Sequence, residues 1–107
     1  MICVEVERLD AHAGDQYGRE TTVNVSDGLL LSEMLASVLR PFLSRAPRAT
    51  WVCRAKGAAG WQDVAQVETV GETGDRGARL LIADSSLRGF VGGSEDTLRI
   101  ACRPSPA

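Results

Sequence analysis

The sequence predicts an α+β fold in which a single mixed β-sheet carries one amphipathic helix across one face. Three observations predict it. Apolar and polar residues alternate over 2–9 and again over 20–26, the period-two signature of half-buried strands. The stretch 30–42 then places Leu30, Leu31, Met34, Leu35, Val38, Leu39 and Phe42 at steps of three and four, the pattern of a helix with one apolar face. The remainder returns to strand patterning, which excludes a doubly wound parallel sheet because that fold needs a helix between most strands.

In the first strand Ile2, Val4 and Val6 share one side, while Cys3, Glu5 and Glu7 share the other. Asp10 to Arg19 contains Gly14, Gly18 and two aspartates, turn chemistry that leads into a second strand where Thr21, Val23 and Val25 face one way. The two read as an antiparallel hairpin with a long loop. Ser26-Asp27-Gly28 offers capping side chains for the helix, Glu33 suits its first turn, and Arg40 and Arg45 suit its end. Pro41 is expected to kink or end the helix, and Pro47 to prevent a restart.

Thr50 to Lys56 is the third strand, with Trp51, Cys53 and Ala55 opposed to Val52, Arg54 and Lys56. Gly57-Ala58-Ala59-Gly60 is a turn, and 61–70 a return strand, although Val64, Val67 and Val70 at steps of three fit a helix as well. Three glycines in 71–77 mark a mobile connection, 78–83 is a short apolar strand, and 84–96 is a Gly-containing excursion. The last strand, 97–103, turns Leu98, Ile100 and Cys102 inward. One domain, 1–103, is expected, with 104–107 as a short disordered tail because Pro104 and Pro106 cannot continue a strand.

The chain has 107 residues, of which 44% are hydrophobic and 24% charged, ordinary usage for one globular domain. Fourteen acids against twelve bases leave a net charge of −2, so no overall field recruits nucleic acid or an anionic membrane. Eleven of the twelve bases are arginine, as a GC-rich genome encodes, and there is a single histidine. The opening residues interleave acids where an export signal would be apolar, no run approaches a membrane span, and three cysteines form no C-x-x-C pair. A cytoplasmic protein of the bacterial type is expected, without cofactor or metal.

The hairpin-first start, the passage Thr22-Val23-Asn24-Val25-Ser26-Asp27 running into Glu33-Met34-Leu35, and Arg79-Leu80-Leu81-Ile82-Ala83 followed by Asp96-Thr97-Leu98-Arg99-Ile100 together resemble a ubiquitin-like β-grasp domain, ββαβ(β)ββ. The resemblance implies that the first and last strands are parallel neighbours at the sheet centre, with the third strand beyond the last. Cys53 and Cys102 would then meet beneath the helix, with Cys3 on the open face. The family's carrier members end in Gly-Gly, whereas this sequence ends Pro-Ser-Pro-Ala, which argues against a modifier or sulfur-carrier role.

Chemistry-bearing residues are few. Cys3, His12 and Asp15 could form a thiol catalytic group, but no local signature surrounds them, and an exposed loop histidine beside a surface cysteine explains them as well. Gly89 to Gly93 lacks the lysine and following helix of a phosphate loop. Asp84-Ser85-Ser86 and Ser94-Glu95-Asp96 read as turn and capping chemistry. Arg54, Lys56, Arg99 and Arg103 fall on the outward face of the central strands beside Glu5 and Glu7, a charged stripe that is either a solvated face or a partner surface. Phe90 and Tyr17 are the aromatic anchors to expect on loops. The expected function is a small non-catalytic protein-interaction module that presents this charged face and the 84–96 loop to a protein partner. The alternatives are a thiol enzyme using Cys3 and His12, an inhibitor or immunity-type protein, and a weak nucleic-acid binder.

Overall fold

Side-chain alternation passes directly into strands. The computed structural model describes residues 1–9, 20–44, 48–70 and 75–105. Six strands, β1 (Ile2–Arg8), β2 (Glu20–Val25), β3 (Ala49–Gly57), β4 (Gly60–Thr69), β5 (Asp75–Leu80) and β6 (Thr97–Pro104), form one mixed sheet in the order β2-β1-β6-β3-β4-β5. Strands β1 and β6 run parallel, with Val4 beside Leu98 and Val6 beside Ile100, and every other pairing is antiparallel. The inward set contains Ile2, Val4, Val6, Trp51, Cys53, Ala55, Leu98, Ile100 and Cys102, all buried as the alternation requires.

The helix covers that side. Segments α1 (Leu31–Met34) and α2 (Arg40–Leu43) are joined through a π-helical stretch, Leu35–Leu39, into one run that buries Leu31, Met34, Leu35, Val38, Leu39 and Leu43. Of the two outcomes expected at Pro41, a kink or an end, the helix does not end there but continues to Leu43 through the π-helical distortion just before it. Widening supplies the reason: the Arg40 N–H reaches back five residues to the Leu35 carbonyl, and Pro41 falls in the first turn of α2, where a missing N–H costs little. The helix start differs from expectation. Its side-chain caps are Glu33, which accepts from the Leu30 N–H at 3.1 Å, and Asp84, which accepts from the Ser32 N–H at 3.0 Å and from the Ser32 hydroxyl.

The ambiguity over 61–70 resolves as strand. A bulge in β4 places Ala65 opposite Cys53 but Asp63 opposite Arg54, so Val64 is an extra residue and both Val64 and Ala65 point into the core. The step of three from Val64 to Val67 records that insertion rather than a helical turn. Inside, Trp51 Nε1 donates to the buried Thr69 hydroxyl at 3.0 Å, which satisfies the polar edge of the ring. The Arg8 guanidinium lies 5.9 Å from the Trp51 ring centroid.

Two boundaries move. Strand β5 begins at Asp75 rather than Ala78, because its pairing follows β4 from Thr69 back to Ala65 and ends where the bulge turns the strand. Residues 75–77, expected within a mobile connection, are therefore part of the sheet, whereas 71–74 lie outside the described residues. Pro104 closes β6 opposite Trp51, and Ser105 N–H adds a 2.7 Å bond to the Thr50 carbonyl. A proline is tolerated there because β1 has ended at Arg8, paired with Cys102, so no ladder on that side requires the N–H that proline lacks.

The excursion after β5 is ordered against the fold. Helix α3 (Leu87–Val91) is capped by Ser86, whose hydroxyl accepts from the Gly89 N–H at 3.1 Å, and it buries Leu87, Phe90 and Val91. Leu31 N–H bonds the Ser85 carbonyl and Leu87 N–H the Leu29 carbonyl, each at 2.8 Å, so 29–31 and 85–87 are tied together. Phe90 packs on Gly57 so closely that a Cβ there would lie 2.8 Å from both the ring and the Phe90 carbonyl. Gly57→Ala is therefore expected to destabilise by about 1–3 kcal/mol through overpacking against backbone, read from urea unfolding. Asp84 is held below the ordinary carboxyl range by the Ser32 hydroxyl, then by the Ser32 and Ser85 N–H groups. Because its folded pKa is depressed, its stabilisation is present above about pH 4 and lost as pH falls further. Asp84→Asn should therefore lower Tm at neutral pH, and its deficit against the parent protein should shrink in thermal melts below about pH 4.

Candidate functional site

Only one side of the sheet carries the helix, and the other presents charged side chains. Strand register decides which meet. Across the open face one row runs Thr22, Glu5, Arg99, Lys56, Trp61, each directly opposite the next on neighbouring strands. Arg54 pairs across to Asp63, with Nε 3.2 Å from Oδ1, and Arg103 lies opposite Val52. Of the predicted site residues, Arg54, Lys56, Arg99 and Arg103 therefore do share this face with Glu5 and Glu7.

Their electrostatics are uneven. Lys56 and Arg99 are like charges directly opposite each other, an arrangement that costs stability in a sheet. Arg99 Nε stands 3.8 Å from Glu5 Oε2, beyond hydrogen-bond length, and both side chains are largely in solvent. Lys56 and Arg103 have no acid within ion-pair distance among the described residues. Two shallow depressions meet at Arg99. One, of about 400 Å³, is bordered by Glu5, Glu7, Glu20, Thr22 and Trp61; the other, of about 590 Å³, by Lys56, Gly57, Gly92, Ser94 and Thr97.

Phe90 is not part of this surface. It is a correction to the sequence reading: the ring is buried against Gly57, because the 84–96 segment folds into α3 and spends its aromatic on closing the core. Trp61, 45% exposed, takes the place of an aromatic anchor at the end of the charged row. Its position was legible in the Gly57–Gly60 turn, since a two-residue hairpin loop sets Lys56 opposite Trp61 and Arg54 opposite Asp63. Tyr17, His12 and Asp15 lie outside the described residues. Cys3 sits half-buried on the open face between Asn24 and Thr97.

No protein-family model, curated protein or solved structure matches this chain. The site is therefore read from its own chemistry. Among the described residues no group of three or more His, Cys, Asp or Glu gathers in a metal-binding arrangement, and no helix is long and apolar enough to cross a membrane.

A second polar cluster holds the 84–96 segment in place. Arg88 donates to Asp27 Oδ2 at 3.0 Å, to Asp96 Oδ1 at 2.9 Å, and to the Gly92 and Glu95 carbonyls at 3.0 and 2.6 Å. Asp27 is held below the usual carboxyl range by the Met1 amino group and by Arg88. Every strong donor of Arg88 is thus occupied by the fold, which makes it a staple rather than a binding residue. The open-face row differs because its charges oppose one another. Lys56→Glu is expected to raise stability by about 0.2–1 kcal/mol in low salt by giving Arg99 an acid directly opposite, and the gain should fade in high salt; urea unfolding at two ionic strengths checks both.

Proposed function

We propose that this is a β-grasp-type interaction module with no catalytic role, which receives an acidic segment of a partner protein on its open sheet face at Arg99, Lys56 and Trp61. The strand order, the central parallel pair β1 and β6, and one long helix over one face support the fold assignment. The observation that carries the function is the juxtaposition of Lys56 and Arg99. Two cations held opposite each other, with no acid among the described residues in ion-pair range of Lys56 and only Glu5, 3.8 Å away, beside Arg99, gain from a carboxylate placed between them.

Trp61 would add apolar contact beside that charge, a combination common in interface anchors. Glu5, Glu7 and Glu20 border the same depression on its far side and would repel an acidic segment that strayed there, fixing its position along β6 and β3. The cytoplasm is the setting of this reading, on the odd cysteine count and the lack of a C-x-x-C pair.

Fluorescence anisotropy with a labelled Asp/Glu-rich dodecapeptide and its Asn/Gln counterpart tests the proposal. The acidic peptide should bind and the neutral one should not, the affinity should fall with salt, and the Lys56→Ala, Arg99→Ala double variant should bind at least ten-fold more weakly. Equal binding by the double variant would remove the site. A single-stranded oligonucleotide bound more tightly than the peptide would replace the partner class.

A further inference from the structure

Cys53 and Cys102 face each other directly across the antiparallel strands β3 and β6, and both are wholly buried beneath the helix. Opposed residues in an antiparallel pair have Cα atoms about 4.5–5.5 Å apart, whichever kind of site they occupy. A disulfide spans Cα separations of about 4.4–6.8 Å, so the backbone already has the spacing such a bond requires. The sulfurs stand 3.1 Å apart as thiols, with Cys102 donating to Cys53. Closing them to the roughly 2.0 Å of a covalent bond takes about 1 Å of side-chain movement. Cys3 cannot substitute for either, because it lies on the opposite side of the sheet.

We propose that Cys53 and Cys102 are a redox-active pair that forms an intramolecular disulfide by exchange with a small-molecule disulfide such as oxidised glutathione. The thiolate of one cysteine attacks a sulfur of the small disulfide, forming a mixed disulfide and releasing one small thiol. The second cysteine, as thiolate, then attacks the protein sulfur of that mixed disulfide and expels the other small thiol. Two protein thiols lose two electrons and two protons, and one small disulfide is reduced to two thiols.

Access sets the pace. The hydrogen bond to Cys53 and burial both push the Cys102 thiol up from its ordinary pKa, which disfavours the reactive thiolate in the closed fold. Exchange therefore waits on transient opening between β3 and β6 and is fast in the unfolded chain. Once formed, the bond links positions 49 apart in sequence and fixes together the two strands that carry Lys56 and Arg99. Reversible disulfides in reducing compartments serve sensing rather than permanent stapling.

The test equilibrates the full chain in glutathione buffers from fully reduced to fully oxidised, then quenches with acid, unfolds and alkylates. Mass spectrometry of the digest should show a peptide pair linked through Cys53 and Cys102 in oxidising buffer, with Cys3 alkylated or carrying removable glutathione. The oxidised protein should melt roughly 10 °C or more above the reduced one, with no such difference in Cys53→Ala. The Cys3→Ser variant should still form the bond. Alkylation of all three cysteines after full oxidation, or a linked peptide that contains Cys3, would overturn the proposal. The parent protein and Cys3→Ser decide it even where Cys53→Ala fails to fold.

Discussion

The structure depends on the parallel pairing of β1 with β6. These strands come from opposite ends of the described chain, yet they lie side by side at the centre of the sheet, with Val4 and Val6 of one beside Leu98 and Ile100 of the other. Everything else attaches to one side or the other of that pair. β2 continues from β1, β3 to β5 continue from β6, and the helix lies over the apolar side chains that the pair and its neighbours present. A parallel pair cannot be closed by a tight turn, so the whole intervening chain acts as its crossover. Formation of the centre must therefore wait for contacts distant in sequence, which makes the local hairpins β1–β2 and β3–β4 natural early structures.

One helix cannot cover the end of a sheet of this width, and the segment after β5 completes the enclosure. Leu87, Phe90 and Val91 are buried by a helix of a single turn, too short to persist by itself. Its stability comes from attachments. Ser86 caps it, the main chain of 29–31 bonds to it, and Arg88 gathers Asp27, Asp96 and two carbonyls around one guanidinium. The same segment returns the favour through Asp84, which caps the long helix at Ser32. Gly57 lets the Phe90 ring and carbonyl approach β3 where any side chain would intrude.

The two faces of the sheet then have different freedoms. On the covered face, close packing constrains every residue, down to the facing thiols of Cys53 and Cys102. On the open face solvent screens the charges, and the fold tolerates Lys56 opposite Arg99 at a modest cost. A locally unfavourable arrangement that packing does not require is where a binding role has room to reside.

Much of this was legible in the sequence because period-two alternation is a local property. It determined the inward sets of β1, β3 and β6, the outward placing of Arg54, Lys56, Arg99 and Arg103, and the shared inward facing of Cys53 and Cys102, while steps of three and four determined the helix stripe through Leu31, Met34, Leu35, Val38 and Leu39, in which the structure exposes Leu30 and buries Leu43 more fully than Phe42. Tertiary structure alone decided what depends on partners distant in sequence. The bulge at Val64 shifts register where β4 must follow both β3 and β5, so its apolar steps mimic a helix. Pro41 stays inside a helix because burial of Leu39 and Leu43 favours continuing it and a π-turn removes the need for the lost N–H. Phe90 turns inward, against the expectation for an aromatic in a Gly-containing loop, because the gap it fills is created by Gly57 and by the end of the sheet. A sequence encodes each residue's preference locally, but a cavity exists only once other elements have formed its walls.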